Sequence, residues 1–197
     1  MKTAVIGAGA WGTALAKVAH SNGGDVCLWG RDAGALAALG QAGRNERYLP
    51  GVDLPRDLPT EADLAKAVDG AGCVVLAIPS RAFREVTARL PEFDGVAVSV
   101  TKGIEFDTGL TMGGVLGETM PLAKVAALSG PTLALEVCRD MPSAAVAAVS
   151  CTARVTHAGT GDTPACARYT LSAHTGNSRC RSASLIWRSG RFIPCTD

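Results

Sequence analysis

Three glycines near the amino terminus have the spacing of a loop that binds a diphosphate group. Gly7, Gly9 and Gly12 form the pattern Gly-x-Gly-x-x-Gly. In such a loop the first glycine permits a tight turn, the second lets the backbone approach the phosphates, and the third lets the next helix pack closely. In a chain with 23 glycines the pattern alone is also compatible with chance or with a bare turn. Its meaning therefore depends on the elements around it.

A strand and a helix flank this loop in the sequence. Lys2–Ile6 is a short apolar segment typical of a buried strand, and Thr13–His20 has apolar residues at helical spacing. A helix that begins directly after the loop offers its unpaired backbone N–H groups to a diphosphate. We therefore predict that residues 1 to about 150 form a domain that binds NAD or NADP.

The charged pair after the second predicted strand bears on the choice of cofactor. Gly30 stands at the end of the strand Asp25–Trp29, so the first carboxylate is displaced to Asp32 and Arg31 stands nearer. A carboxylate at this place bonds the ribose hydroxyls, whereas an arginine pairs with a 2′-phosphate. We predict that NADP is accepted, with use of NAD left open. The alternative is that Arg31 and Asp32 only solvate a loop.

Strands and helices alternate along the first 150 residues. This alternation predicts an α/β fold with a doubly wound, Rossmann-type parallel sheet, which binds its ligands at the carboxyl ends of the strands. The further predicted elements are a short helix capped by Thr60–Asp63, a strand Cys73–Ile78, a helix at about 82–90, and strands Val96–Val100 and Val125–Leu128. Thr101–Glu105 and Ser129–Val137 follow the last two strands, so we expect both segments at the ligand-binding edge of the sheet.

Five motifs in this segment carry a family resemblance. They are Gly7–Thr13, Trp29–Arg31, Asn45–Pro50, Thr101–Glu105 and Ser129–Thr132. In this order they resemble the motifs of the bacterial NAD(P)-dependent glycerol-3-phosphate dehydrogenases. The resemblance implies reversible hydride transfer between NAD(P)H and dihydroxyacetone phosphate, which gives sn-glycerol 3-phosphate for phospholipid synthesis.

The resemblance also implies roles for single residues. Lys102 would contact both cofactor and substrate, because a cation beside a phosphorylated ketone attracts the anion and polarises the carbonyl; the alternative is a solvated surface lysine. Ala10 would also lie at the cofactor, but many members have a serine there, so one hydroxyl contact to the phosphates is lost. The remaining cofactor contacts would be Gly7, Gly9, Trp11, Gly12, Arg31, Tyr48 and Ala134, and the remaining substrate contacts Gly130 and Thr132.

The last 47 residues depart from the family. The resemblance implies a large helical domain with a lysine that donates the proton, but residues 151–197 contain no lysine, six arginines and two aspartates. We therefore assign no catalytic residue and expect a weakly active or inactive chain. This basic segment is predicted to be an irregular, disordered tail. It has the composition expected from a reading-frame change in a GC-rich gene, and the alternative is a functional arm that contacts phosphates.

Charge and composition bear on the kind of binding partner that the protein has. The net charge is +1, which gives no support for a nucleic-acid partner, and no apolar stretch approaches the roughly 18 residues that cross a bilayer. Seven cysteines without a close pair indicate reduced thiols and no metal site. We expect a cytoplasmic protein with a phosphorylated small-molecule substrate. A homo-oligomer stays open, because loss of a second domain would expose apolar surface.

Three functions are compatible with these sequence features. The first is a glycerol-3-phosphate dehydrogenase, the second a non-catalytic NAD(P)-binding fragment, and the third a regulator that senses the nucleotide through the same fold. Measured turnover separates the first from the second. Capture of a partner with and without the tail tests the third.

Overall fold

One sheet organises the part of the chain that the structure describes. The computed structural model describes residues 1–141, 143–149, 182–188 and 191–194. Nine strands within these ranges form a single sheet. They are β1 (Lys2–Ile6), β2 (Val26–Trp29), β3 (Thr60–Glu61), β4 (Ala71–Leu76), β5 (Val96–Ser99), β6 (Lys124–Ser129), β7 (Ser143–Val149), β8 (Ser182–Arg188) and β9 (Arg191–Pro194).

Helices connect the strands of the amino-terminal part. None of the helices in the described ranges combines the length and the apolar character that crossing a bilayer requires. The helices are α1 (Ala10–Ser21), α2 (Ala33–Ala42), α3 (Leu64–Val68), α4 (Ser80–Ala88), α5 (Met112–Thr119) and α6 (Ala134–Cys138).

The strand order confirms the predicted doubly wound fold. The order is β3-β2-β1-β4-β5-β6-β7-β8-β9, and the neighbours from β3 to β6 are all parallel. The chain starts in the middle with β1, runs outward through β2 and β3, and returns to place β4 on the other side of β1. At this reversal the connections leave in opposite directions, so a crevice opens beyond the carboxyl ends of β1 and β4.

Both faces of β1 and β2 are largely buried, which explains their continuous apolar runs. Along β1, Ala4 and Ile6 belong to one apolar cluster and Val5 belongs to the other. The first cluster packs against Phe83 of α4, which is fully buried, and the second packs against α1 and Leu49. β1 thus lies between two apolar clusters, one of which includes residues of α4 and the other residues of α1 and the loop residue Leu49.

The prediction that Thr60–Asp63 begins a helix is wrong for its first two residues. Thr60 and Glu61 pair with Leu28 and Trp29 of β2 and form the edge strand β3. The helix begins only after Asp63, whose carboxylate accepts hydrogen bonds from the backbone N–H of the next turn. Pairing with β2 supplies partners for the extended backbone, so it overrides the local helix-start signal of Thr60.

The carboxyl-terminal part of the sheet is antiparallel. β7 runs antiparallel to β6, and β8 and β9 continue the sheet as antiparallel strands. β8 and β9 contain Ser184–Trp187 and Phe192–Ile193, the two apolar segments of the tail, so these segments are regular where the sequence predicts an irregular tail. The expectation of disorder for the rest of the tail concerns residues outside the described ranges.

Candidate functional site

Gly7 and Gly12 are required by the packing of the glycine loop. Gly7 has φ of +123°, and a Cβ there would lie 2.4 Å from the carbonyl oxygen of Ala77. A Cβ on Gly12 would lie 1.9 Å from the carbonyl oxygen of Gly7 and 3.1 Å from the Cβ of Ala77. The two glycines therefore let α1 begin directly against β1 and β4, in the way the spacing predicts.

Gly9, in contrast, is not required by the packing of the described residues. Its φ of −78° suits any residue, and no atom of the described residues lies within 4 Å of the position that a Cβ would take. Gly9 is also the N-cap of α1, and no side chain caps that helix. The first intrahelical bond there runs from the N–H of Thr13 to the carbonyl of Gly9, at 3.0 Å. The open space and the uncapped N–H groups together form a cradle that fits a diphosphate.

A cleft extends from this cradle across the carboxyl ends of β1, β2, β4 and β5. Its volume is about 620 Å³, a size that suits a ligand with many atoms. Four cationic side chains and one carboxylate line it, so it attracts a polyanion. The cations are Arg31, Arg47, Arg81 and Lys102, and the carboxylate is Asp32.

The carboxylate of Asp32 is already engaged in local structure. It accepts a hydrogen bond from the N–H of Ala35 at 3.0 Å and so caps α2. Arg31 precedes it, is exposed, lines the cleft, and makes no hydrogen bond or ion pair among the described residues. At this strand end the guanidinium is therefore available to an anion, while the carboxylate serves the helix.

Gly30, at the end of β2, is tightly enclosed. A Cβ there would lie 3.0 Å from the Cβ of Ala8 and 3.1 Å from Cδ2 of Leu36. The backbone N–H of Gly30 donates to the carbonyl of Glu61 at 3.3 Å. A side chain at this strand end would therefore require Ala8 or Leu36 to shift by a few tenths of an ångström.

The segment Asn45–Pro50 is bound to the glycine loop by one buried amide. The Nδ2 of Asn45 donates to the carbonyl of Ala8 at 3.1 Å and to Oγ1 of Thr13 at 2.8 Å. Tyr48, which is 46% exposed, lies in the turn that follows and lines the cleft. The guanidinium of Arg47 lies 5.1 Å from the centre of the Tyr48 ring. Asn45 thus places an aromatic ring and a cation beside the cradle.

Lys102 lies at the carboxyl end of β5 and reaches the end of the neighbouring strand. Its Nζ donates to the carbonyl of Gly130 at 3.2 Å, and its side chain is otherwise exposed to the cleft. A Cβ on Gly130 would lie 2.4 Å from the carbonyl oxygen of Ala144 in β7, so packing accounts for this glycine. Adjacent strands therefore bring together two segments that the sequence separates by more than twenty residues.

The loop that carries Lys102 is anchored by an ion pair. Arg84 of α4 donates two hydrogen bonds of 2.8 Å to the carboxylate of Glu105 and also pairs with Glu118 at 2.7 Å. Thr108 donates to the same carboxylate at 2.6 Å. The Arg84 and Thr108 hydrogen bonds lower the pKa of Glu105 to about 2. The anchored carboxylate fixes this loop at a point three residues after Lys102.

The predicted site residues divide into two groups in the structure. Ala134 does not line the cleft; it packs against the apolar cluster that includes Ala14 and Ala16 of α1. Thr132 is half-buried in the turn before α6, outside the cleft lining. The predicted residues that do line the cleft are Gly7, Gly9, Ala10, Trp11, Arg31, Tyr48 and Lys102, and those that do not are Gly12, Gly130, Thr132 and Ala134.

Sequence reasoning missed Arg47 and Arg81, which line the same cleft. Their signal in the sequence is only a charge within a motif or after a strand end, and arginines of that kind are usually solvated surface residues. It also missed the role of Asn45, whose partners lie in the glycine loop.

A glycine loop at a helix N-terminus beside the reversal of a parallel sheet defines the class of dinucleotide-binding domains. The family model described as "NAD-dependent glycerol-3-phosphate dehydrogenase N-terminus" matches residues 2–155. The chain belongs to this family.

Relatives and solved structures agree with that family. The glycerol-3-phosphate dehydrogenase [NAD(P)+] of Anaeromyxobacter dehalogenans is 44% identical over 154 residues, which cover 75% of this chain and 46% of the relative. The structure of the Coxiella burnetii glycerol-3-phosphate dehydrogenase has a TM-score of 0.67 at 32% identity, covering 72% of this chain and 44% of that one. The Saccharomyces cerevisiae enzyme has a TM-score of 0.63 at 26% identity, covering 71% and 44%. This chain thus spans less than half the length of the curated relatives it matches.

Proposed function

We propose that the cleft binds NADP or NAD and that residues 1 to about 150 act as the cofactor domain of a glycerol-3-phosphate dehydrogenase. The reaction is the interconversion of dihydroxyacetone phosphate and sn-glycerol 3-phosphate, in which the cofactor supplies or accepts the hydride. The observation that carries the proposal is Gly9: nothing in the described part of the chain requires a glycine there, but a bound diphosphate would.

The residues around the cradle have separate tasks in this proposal. The first N–H groups of α1 bind the diphosphate, as the positive end of a helix favours an anion. Arg31 pairs with a 2′-phosphate when NADP is bound, because a guanidinium binds a phosphate with two parallel hydrogen bonds. Tyr48 and Trp11 offer ring surface along the cleft. NAD lacks the 2′-phosphate and is accepted without that pairing.

Lys102 contacts the substrate in this proposal. Its ammonium group attracts the phosphorylated ketone and stabilises the negative charge that grows on the carbonyl oxygen as hydride arrives. The contact with Gly130 holds the ammonium between the ends of β5 and β6. Thr132 follows Gly130 closely, so we assign its hydroxyl and the Gly130 backbone to the substrate.

Catalysis by this 197-residue chain is limited by proton transfer. Reduction of a ketone needs a proton as well as a hydride, and a positioned acid contributes about 10²- to 10⁴-fold. Residues 151–197 contain no lysine that could take the role of the family's proton donor. We therefore propose NAD(P) binding with weak or no turnover. A nucleotide-sensing role through the same cleft is the second candidate, favoured by the completeness of the cofactor side.

A titration of the full chain with NADPH and with NADH, followed by nicotinamide fluorescence, tests the proposal. We expect saturable binding of NADPH and of NADH, and competition by the oxidised cofactors. Absence of saturable binding by a folded chain, with folding shown by circular dichroism, contradicts it.

We also propose that the protein is located in the cytoplasm. A homo-oligomer is a further proposal, which sedimentation analysis tests.

A further inference from the structure

Arg47 differs from the neighbouring Arg44, because its guanidinium has no carboxylate partner among the described residues. Arg44, three residues earlier, pairs with Asp53 at 2.7 Å and approaches Glu46 at 3.9 Å. The nearby carboxylates are thereby engaged by Arg44. Arg47 is exposed and makes no ion pair or side-chain hydrogen bond within the described part of the chain. Its charge therefore faces the cleft without a protein counter-ion.

The Arg47 guanidinium makes a cation–π contact but no hydrogen bond among the described residues. Its Cζ lies over the Tyr48 ring, 5.1 Å from the ring centre. A contact of this kind holds a guanidinium near an aromatic ring and leaves its N–H donors available to another partner. A guanidinium held in this way loses little further freedom when it binds a phosphate through two parallel hydrogen bonds.

The turn that carries Arg47 is held in place from both sides. The carbonyl of Asn45 accepts hydrogen bonds from the N–H of Tyr48 at 3.2 Å and from the N–H of Leu49 at 2.7 Å. The Asn45 side chain is bound to the glycine loop. Arg47 thus projects from a turn whose distance from the cradle is set by buried hydrogen bonds.

The location of Arg47 indicates which part of a bound dinucleotide it would contact. A second cavity of about 270 Å³ lies between α2 and the segment 44–48, and it shares Ala8, Ala35, Arg47 and Tyr48 with the main cleft. Arg47 therefore stands at the side of β2 and α2, together with Arg31. In a dinucleotide-binding sheet this side receives the adenosine ribose.

We propose that Arg47 is a second residue that binds the 2′-phosphate of NADP, and that it sets the preference for NADP over NAD together with Arg31. The inference rests on the proposed cofactor role of the cleft. Two guanidinium groups match the charge of about −2 on a phosphate monoester, which one group balances only in part.

The test compares Arg47→Ala and Arg47→Lys with Arg56→Ala as a matched control. Arg56 is also an exposed arginine, but it does not line the cleft, so its removal changes the net charge by the same amount. Each full-length variant is titrated with NADPH and NADH at one ionic strength. We expect Arg47→Ala to weaken NADPH about ten-fold and NADH less than about two-fold.

Arg47→Lys keeps the charge but loses the planar guanidinium and its paired hydrogen bonds, so we expect NADPH binding to weaken about three-fold. Competition by 2′,5′-ADP relative to 5′-AMP, which lacks only the phosphate at the 2′ position, should change in the same direction. Equal losses for NADPH and NADH in Arg47→Ala, no loss, or an equal effect of Arg56→Ala overturns the inference while the cofactor role stands. Failure of the unaltered chain to bind either cofactor overturns both.

Discussion

The contrast between Gly9 and Gly12 allows one prediction to be worked through in detail. Both glycines belong to the same loop, but an added methyl group meets different surroundings at each. At Gly12 the new Cβ would lie 1.9 Å from the Gly7 carbonyl oxygen, far inside van der Waals contact. At Gly9 it would meet no atom of the residues that the structure describes within 4 Å.

The two substitutions should therefore change different quantities. Gly12→Ala forces α1 away from the loop, and overpacking of this kind costs about 1–3 kcal/mol. At roughly 2–4 °C per kcal/mol for a chain of this size, the melting temperature falls by about 2–12 °C. Gly9→Ala loses only part of the preference for glycine at an N-cap, under about 1 kcal/mol. Its methyl group instead occupies the diphosphate position, so NADPH binding weakens at least about ten-fold, or 1.4 kcal/mol.

Thermal unfolding without cofactor and fluorescence titration with NADPH measure the two effects separately. The expected pattern is a stable Gly9→Ala variant that binds NADPH poorly, beside a destabilised Gly12→Ala variant. If Gly9→Ala binds NADPH as the unaltered chain does, the cradle is not the diphosphate site. If it melts as early as Gly12→Ala, the space around Gly9 is not open.

Three further predictions concern Arg31, turnover and acid stability. Arg31→Ala should weaken NADPH more than NADH in the same titration, because only NADPH carries the 2′-phosphate; equal losses would exclude Arg31 as its binding partner. The 197-residue chain should oxidise NADPH with dihydroxyacetone phosphate at least about 10³-fold more slowly than a full-length relative, as followed by nicotinamide absorbance; near-normal turnover that is lost in Lys102→Ala would refute this. The pKa of Glu105 is lowered from 4.5 to about 2 in the folded chain, so its ion pair stabilises the fold above about pH 4.5, and this contribution is lost as the pH falls towards 2. In urea unfolding, Glu105→Gln should be less stable than the unaltered chain at pH 6, with a difference that shrinks below pH 4.5; a difference independent of pH would contradict the ion-pair argument.

Much of the fold could be predicted because its signals are local. The glycine loop, its strand and its helix lie within one short segment, and each apolar run is itself the evidence for a buried strand. The edge strand Thr60–Glu61 could not be predicted, because it exists only through pairing with β2. The antiparallel direction of β7 likewise depends on where the chain returns after α6, which no periodicity encodes.

The site was predictable only where a residue stands next to a recognisable motif. Arg31 and Lys102 follow strand ends and could be singled out from the sequence. The Asn45 side chain contacts a carbonyl 37 residues away, and Arg84 binds a carboxylate 21 residues away. Such contacts depend on tertiary packing, so the arrangement of Arg47 and the anchoring of the Lys102 loop needed the structure.

The enclosure of Gly30 restricts how the cofactor preference of this domain can be redesigned. A common design for strict NAD use places an acidic residue at the end of the second strand, where it bonds the ribose hydroxyls and repels a 2′-phosphate. Here the neighbouring Ala8 and Leu36 lie 3.0 Å and 3.1 Å from the position of any new Cβ. A carboxylate introduced at Gly30 would therefore require Ala8 of the glycine loop or Leu36 of α2 to shift by a few tenths of an ångström. Substitutions at Arg31 and Arg47, which are exposed, would change the charge on this side of the cleft without requiring such a shift.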